Sequence, residues 1–255
     1  MEKYLRSLVV LVLAIFLTGS AAMARQYRST SDDAKILQDV NKMISEHPSL
    51  KSVRATVDDN IVTLDGTVDL FHDALRAEDM TRKLDKVAGV RNHLQVKSNG
   101  MSDAELRDRL ADKLRYDRVD RGVVFNNFTL GVNNGVVTLG GNVRNEVDHA
   151  SALAIVENMP GVRGIVDNVQ VAPASIADDE LRVRVARAVY GDPVLQKYAI
   201  DPEAPIRIVV NNGHVGLYGM VNTEAEKTVA LTRAREVPGS FSVDDHLMVA
   251  SQMPR

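Results

Sequence analysis

The sequence predicts an α+β protein of three tandem αββαβ units, each a small three-stranded sheet with two helices on one face. Three observations lead there. The pattern V-x-L-x-G-x-V occurs three times, at 62–68, 137–143 and 215–221, and its apolar–polar alternation is that of a strand burying one face. A tight-turn signal precedes each copy, as Asp59-Asn60, Asn133-Asn134-Gly135 and Asn211-Asn212-Gly213. Such residues accept positive φ and close two-residue hairpins. Helical stripes flank every strand pair, with apolar residues at spacings of three and four.

In the first unit, Asp32 and Asp33 open a helix whose face is Ile36, Leu37, Val40, Met43 and Ile44, the early acids suiting the helix N-terminus. His47-Pro48 ends it, since the residue before proline disfavours helical geometry. Val53, Ala55 and Val57 alternate as a first strand, and the second runs through Gly66. A second helix carries Ala74, Ala77, Met80, Leu84 and Val87, and 90–96 returns as the third strand. The second unit begins at Ser102-Asp103-Ala104-Glu105, which resembles a capping box, and continues with Leu106, Leu110 and Leu114. Its strands are predicted near 128–132, 136–143 and 162–171, its second helix at 145–158. The third begins at Asp178 with Leu181, Val185 and Val189, followed by strands near 206–210 and 214–221, a helix at 223–237 and a strand at 241–249.

Val62, Val137 and Val215 lie 75 and 78 residues apart, and the glycines read as helix stops, Gly89, Gly161 and Gly239, lie 72 and 78 apart. Domains are therefore expected at 31–98, 101–172 and 177–250. Gly66, Gly141 and Gly219 fall on the inward parity of their strands, where a missing side chain is expected to let the second helix cross.

The N-terminus reads as a secretory leader. Lys3 and Arg6 precede the apolar run 8–17, and Ala22-Met23-Ala24 offers small residues for cleavage after Ala24. The run is too short for a bilayer span of about 20 residues, so a periplasmic protein is expected. There is no cysteine, hence neither a disulfide nor a lipid-modified N-terminal Cys. Net charge is −3 and aromatics are 4%, which argues against a nucleic-acid partner.

The order of elements, with V-x-L-x-G-x-V, the glycine after helix two and the closing strands 90–96, 166–171 and 243–249, resembles the BON domain of osmotically inducible periplasmic proteins. The resemblance covers nearly the whole chain after the leader. It implies export, association with phospholipid surfaces and a part in envelope maintenance or osmotic stress. It brings no catalytic residues.

The residues themselves present no catalytic constellation, no metal-ligand spacing among the six histidines and no cofactor motif. His93 and His246 occupy equivalent outward positions of closing strands. Asn133-Asn134-Gly135 joins two strands, so it reads as a hairpin and not as a phosphate loop. The candidate for membrane contact is Arg115, Arg118 and Arg121 with Val123, Val124 and Phe125, basic groups beside apolar ones; the competing reading packs 123–125 on the sheet while the arginines pair with Asp117 and Asp120. Arg182, Arg184 and Arg187 read as a solvated face, and the insertion 192–205 as surface elaboration or a partner-contacting loop. The expected function is non-catalytic, weak multivalent contact with phospholipid. The alternative is a protein-binding or holdase-like envelope adaptor. Oligomeric state is left open.

Overall fold

The computed structural model describes residues 32–116, 123–201 and 205–250. These divide into two compact units at the Lys97/Ser98 boundary. The first holds one αββαβ module; the second holds two.

Module one starts with α1 (32–46), then β1 (Val53–Asp58), β2 (Ile61–Val68), α2 (Phe71–Arg82) and β3 (Gly89–Val96). β1 pairs antiparallel with β2, and β2 pairs parallel with β3. A parallel pair needs a crossover connection; α2 supplies it. Module two repeats the order with α3 (Asp103–Tyr116), β4 (Asn127–Asn133), β5 (Val136–Val143), α4 (Glu146–Glu157) and β6 (Gly164–Val171). Module three has α5 (Ile176–Tyr190), a short α6 (Gln196–Ala199), β7 (Ile206–Asn211), β8 (His214–Val221), α7 (Glu224–Arg235) and β9 (Ser242–Val249). The V-x-L-x-G-x-V strand is central in each of the three sheets.

The first and third residues of that motif point at the helices. Val62 and Leu64, Val137 and Leu139, and Val215 and Leu217 are wholly buried. In modules one and three they share a core with Ile36 and Val40 or Leu181 and Val185 from the first helix and alanines from the second; in module two Leu106, Leu110 and Ala152 are likewise buried. Each fully buried side chain of this kind contributes about 1.5–3 kcal/mol.

All three hairpins are two-residue turns with positive φ at both central positions, Asp59 and Asn60, Asn134 and Gly135, Asn212 and Gly213. An aspartate in the first turn of each module's first helix grips them. Asp33 accepts from the Asp59 and Asn60 amides at 3.2 and 2.8 Å, Asp103 from Asn134 and Gly135 at 2.7 and 2.9 Å, and Asp178 from Asn212 and Gly213, both at 2.9 Å. These carboxylates lock helix to hairpin, beyond the favourable charge placement expected of them.

Four expectations need correction. Gly66, Gly141 and Gly219 do not clear a helix. Their φ values are 127°, 108° and 114°, and a Cβ would lie 2.2, 2.0 and 1.9 Å from the carbonyl oxygens of Ser52, Asn127 and Pro205, backbone at the start of the neighbouring strand. Gly89 is not the partner of Gly161 and Gly239. It opens β3 without positive φ, and the left-handed residue after α2 is Lys86, φ 64°. With Lys86 the spacing becomes 75 and 78, identical to that of the valines. Arg182 is not solvated: it is 2% exposed, donating to Asp179 at 2.5 Å and to the Val210 carbonyl at 2.6 Å. The insertion 192–205 is not mere surface, because Leu195 and Tyr198 enter the module-three core.

Candidate functional site

The two faces of each sheet differ. One packs on helices; the other is set by alternate residues and differs among the copies. In module one the outer row Arg54–Asp65–His93 runs across the three strands, followed by Thr67 beside Gln95. In module two the equivalent rows are Thr129–Gly140–Asn168 and Asn142 beside Gln170. Both faces are polar. In module three they become Arg207–Tyr218–His246 and Met220 beside Met248.

Tyr218 and His246 stack with ring centroids 4.4 Å apart and planes 10° from parallel. Gly216 makes room for this arrangement, since a Cβ there would lie 2.7 Å from the Tyr218 ring. Burial, and then the charge of Asp244, hold the Tyr218 hydroxyl neutral to higher pH than usual. Met220 and Met248 are 38% and 51% exposed.

Module two roofs part of this face. Its short helical turn Val123–Phe125 and strand β4 lie against β7. Val124 and Phe125 are half-buried and pack on the module-three core. Between the two modules lies a cavity of about 870 Å³. Leu114, Phe128 and Leu130 line it from module two; Tyr218, Met220 and Met248 line it from module three. Arg115, Arg207 and His246 are also in its wall, with Asp201 as the one carboxylate of the described lining. The size is that of a small-molecule site.

One rim is rigid. Glu226, in the first turn of α7, accepts from Lys197 Nζ at 2.5 Å, Tyr198 Oη at 2.7 Å, and the Asn222 and Thr223 amides at 2.9 and 3.2 Å. Burial pushes its pKa up, but the bonds from Lys197, Tyr198 and Asn222 prevail and hold it at about 2. Tyr198 and Asn222 thereby form a fixed edge of the cavity.

The residues assigned to membrane contact separate. Arg115 is exposed on the last turn of α3 and borders the cavity. Val123 lies in the helical turn with Val124 and Phe125, and the latter two face module three. Arg118 and Arg121 lie outside the described residues. His93 and His246 are both exposed, as their strand parity predicts; His93 has Asp65 3.4 Å away, and His246 also borders the cavity. A different surface combines exposed apolar and basic groups. On α5, Ile176, Val183 and Arg187 share the face opposite Leu181 and Val185, with Arg184 at its edge 3.5 Å from Glu180, and Ile176 is 82% exposed. Among the described residues no group of three or more His, Asp or Glu side chains is placed to hold a metal, and no helix is long and apolar enough to cross a membrane.

Geometry thus defines a protein of repeated small α+β modules with a mixed cavity between the second and third copies. The family model for the BON domain matches residues 32–98, 102–173 and 177–251. The chain belongs to the BON-domain family. A protein of Anaplasma centrale described as an uncharacterized protein in the gshII 5' region is 25% identical over 143 residues, 55% of this chain and 95% of that one. Among solved structures, CdsD, a structural protein of the type III secretion system of Chlamydia trachomatis, aligns over 87% of this chain and 100% of its own, with 15% identity and a TM-score of 0.24. The periplasmic domain of the type III secretion inner-membrane protein PrgH from S. typhimurium aligns over 82% and 99%, with 11% identity and a TM-score of 0.22. Likeness at that level assigns this chain neither an arrangement nor a role.

Proposed function

We propose that this chain is an exported, non-catalytic envelope protein that engages phospholipid surfaces weakly and at several points, in envelope maintenance or osmotic stress. Export follows from the leader ending at Ala24. The observation that carries the reading is the threefold BON module: linked weak sites gain apparent affinity through effective concentration. The outward face of α5 supports it, because Ile176 and Val183 beside Arg184 and Arg187 suit a headgroup boundary. The basic connection at Arg115, Arg118 and Arg121 is a second point of contact, without help from Val124 and Phe125, which pack on module three.

The test is flotation of the chain lacking 1–24 with phosphatidylglycerol and phosphatidylcholine vesicles. Binding to the anionic vesicles, reduced by Ile176→Asp with Arg187→Glu or by charge reversal of Arg118 and Arg121, is expected. Recovery of an envelope protein without any vesicle binding favours the adaptor reading instead.

A further inference from the structure

We propose that the cavity between modules two and three binds a single-chain anionic amphiphile, one apolar chain ending in a phosphate or carboxylate. This builds on the lipid reading and gives it a site distinct from the α5 surface.

The argument starts from how module three departs from its sister copies. At six equivalent outer positions module one carries Arg54, Asp65, His93, Thr67 and Gln95, with Thr63 at the place of Gly216. Module three keeps the arginine and the histidine but replaces the rest with Tyr218, Met220, Met248 and Gly216. Two half-exposed methionines next to each other leave apolar surface in water where the other copies are polar. Methionine is unbranched and adaptable, suited to a flexible apolar ligand. Leu114, Phe128 and Leu130 of module two supply the opposite wall.

Charge gives the ligand its polarity. The described lining sets two arginines against one carboxylate, Asp201, and His246 adds a ring nitrogen able to donate a hydrogen bond. Arg207 and His246 sit in one cross-strand row, and Met220 and Met248 in the row two residues along, roughly 7 Å away at strand rise. An anionic head beside the first row therefore places the start of its chain over the second. The volume, about 870 Å³, falls within the range for ligands of this size, about 300–1,000 Å³.

A peptide fits less well. Its amides and carbonyls need partners when buried, and the β7 edge that would pair with them is occupied by module two. The cavity offers mainly side chains.

Calorimetric titration of the chain lacking 1–24 tests this, with decyl phosphate and decyltrimethylammonium below their micelle concentrations and inorganic phosphate alone. Saturable one-to-one binding of decyl phosphate is expected, with at least tenfold weaker binding of the cationic analogue and none of phosphate. Met248→Asp, at a half-exposed position whose folding is checked by circular dichroism, should weaken binding at least tenfold. Arg207→Gln should weaken it about tenfold, the loss of one charged contact, while Arg54→Gln in module one leaves it unchanged. Absence of saturable binding overturns the proposal, as does binding indifferent to Met248→Asp and Arg207→Gln. Equal binding of phosphate alone overturns the amphiphile, and binding of an apolar peptide but not decyl phosphate replaces it with a protein segment. Vesicle flotation run in parallel separates the two claims: flotation without decyl phosphate binding refutes the cavity and spares the lipid reading, and the reverse result refutes surface contact alone.

Discussion

Replacing Asp178 by alanine tests whether the helix-to-hairpin lock stabilises the modules. Asp178 is 5% exposed and receives two amide bonds of 2.9 Å, the one from Gly213 fully buried. Hydrogen bonds to a charged group contribute about 1.5–3 kcal/mol each, and stranding a buried donor costs about 1–3 kcal/mol. A net loss of about 3 kcal/mol is expected, because water reaches the Asn212 amide but not Gly213. For a unit of about 150 residues that lowers the thermal midpoint by about 6–12 °C. Asp178→Asn keeps one acceptor and should lose about half as much. Asp33→Ala should cost only about 1 kcal/mol, since the Asp59 amide it holds is exposed. Urea unfolding of the three variants in the chain lacking 1–24 reads these values. A loss for Asp178→Ala within 0.5 kcal/mol of wild type, or no greater than for Asp33→Ala, would refute the reasoning, as about 0.5 kcal/mol is ordinary for surface changes.

Other predictions follow from single contacts. Gly219→Ala drives a Cβ into the Pro205 carbonyl and should cost at least 3 kcal/mol, whereas Gly239→Ala makes ordinary contacts with Arg184 at 3.4 Å and Leu181 at 4.0 Å and should cost about 1 kcal/mol from its positive φ; urea midpoints compare them. Glu226 has a folded pKa of about 2, below its ordinary value of 4.5, so its stabilisation is complete above about pH 4.5 and disappears as pH falls toward 2. The stability difference between wild type and Glu226→Gln should therefore shrink between pH 5 and pH 2, and a difference that grows would contradict the network. Phe125→Ala removes a half-buried ring from the module-three core and should cost about 2 kcal/mol, measured by thermal unfolding.

The sequence made the hairpins and cores legible because both rest on local rules: turn residues that take positive φ, and strand parity. Val62, Leu64 and their counterparts are buried as alternation predicts. What it concealed depends on partners distant in the chain. Asp178 looks like any helix-start acid until the hairpin it grips, 34 residues away, is in place. Gly219 carries the same letter whether it clears a helix or, as found, a carbonyl. Arg182 has the spacing of a solvated arginine; only its contact with the Val210 carbonyl marks it as buried. Gly89 misled because the true counterpart of Gly161 is Lys86, a residue without the usual signature of positive φ. The module-three outer face was within reach. Tyr218, Met220, His246 and Met248 alternate on β8 and β9, but their meaning needed the roof of module two, which no local pattern encodes.

The central claim, lipid engagement by a non-catalytic tandem-module chain, is tested most directly by flotation with anionic and zwitterionic vesicles across a salt series. The account predicts comigration with phosphatidylglycerol vesicles that weakens as salt screens the arginines, and little with phosphatidylcholine. A chain that stays at the bottom of the gradient with both vesicles at low salt would contradict it.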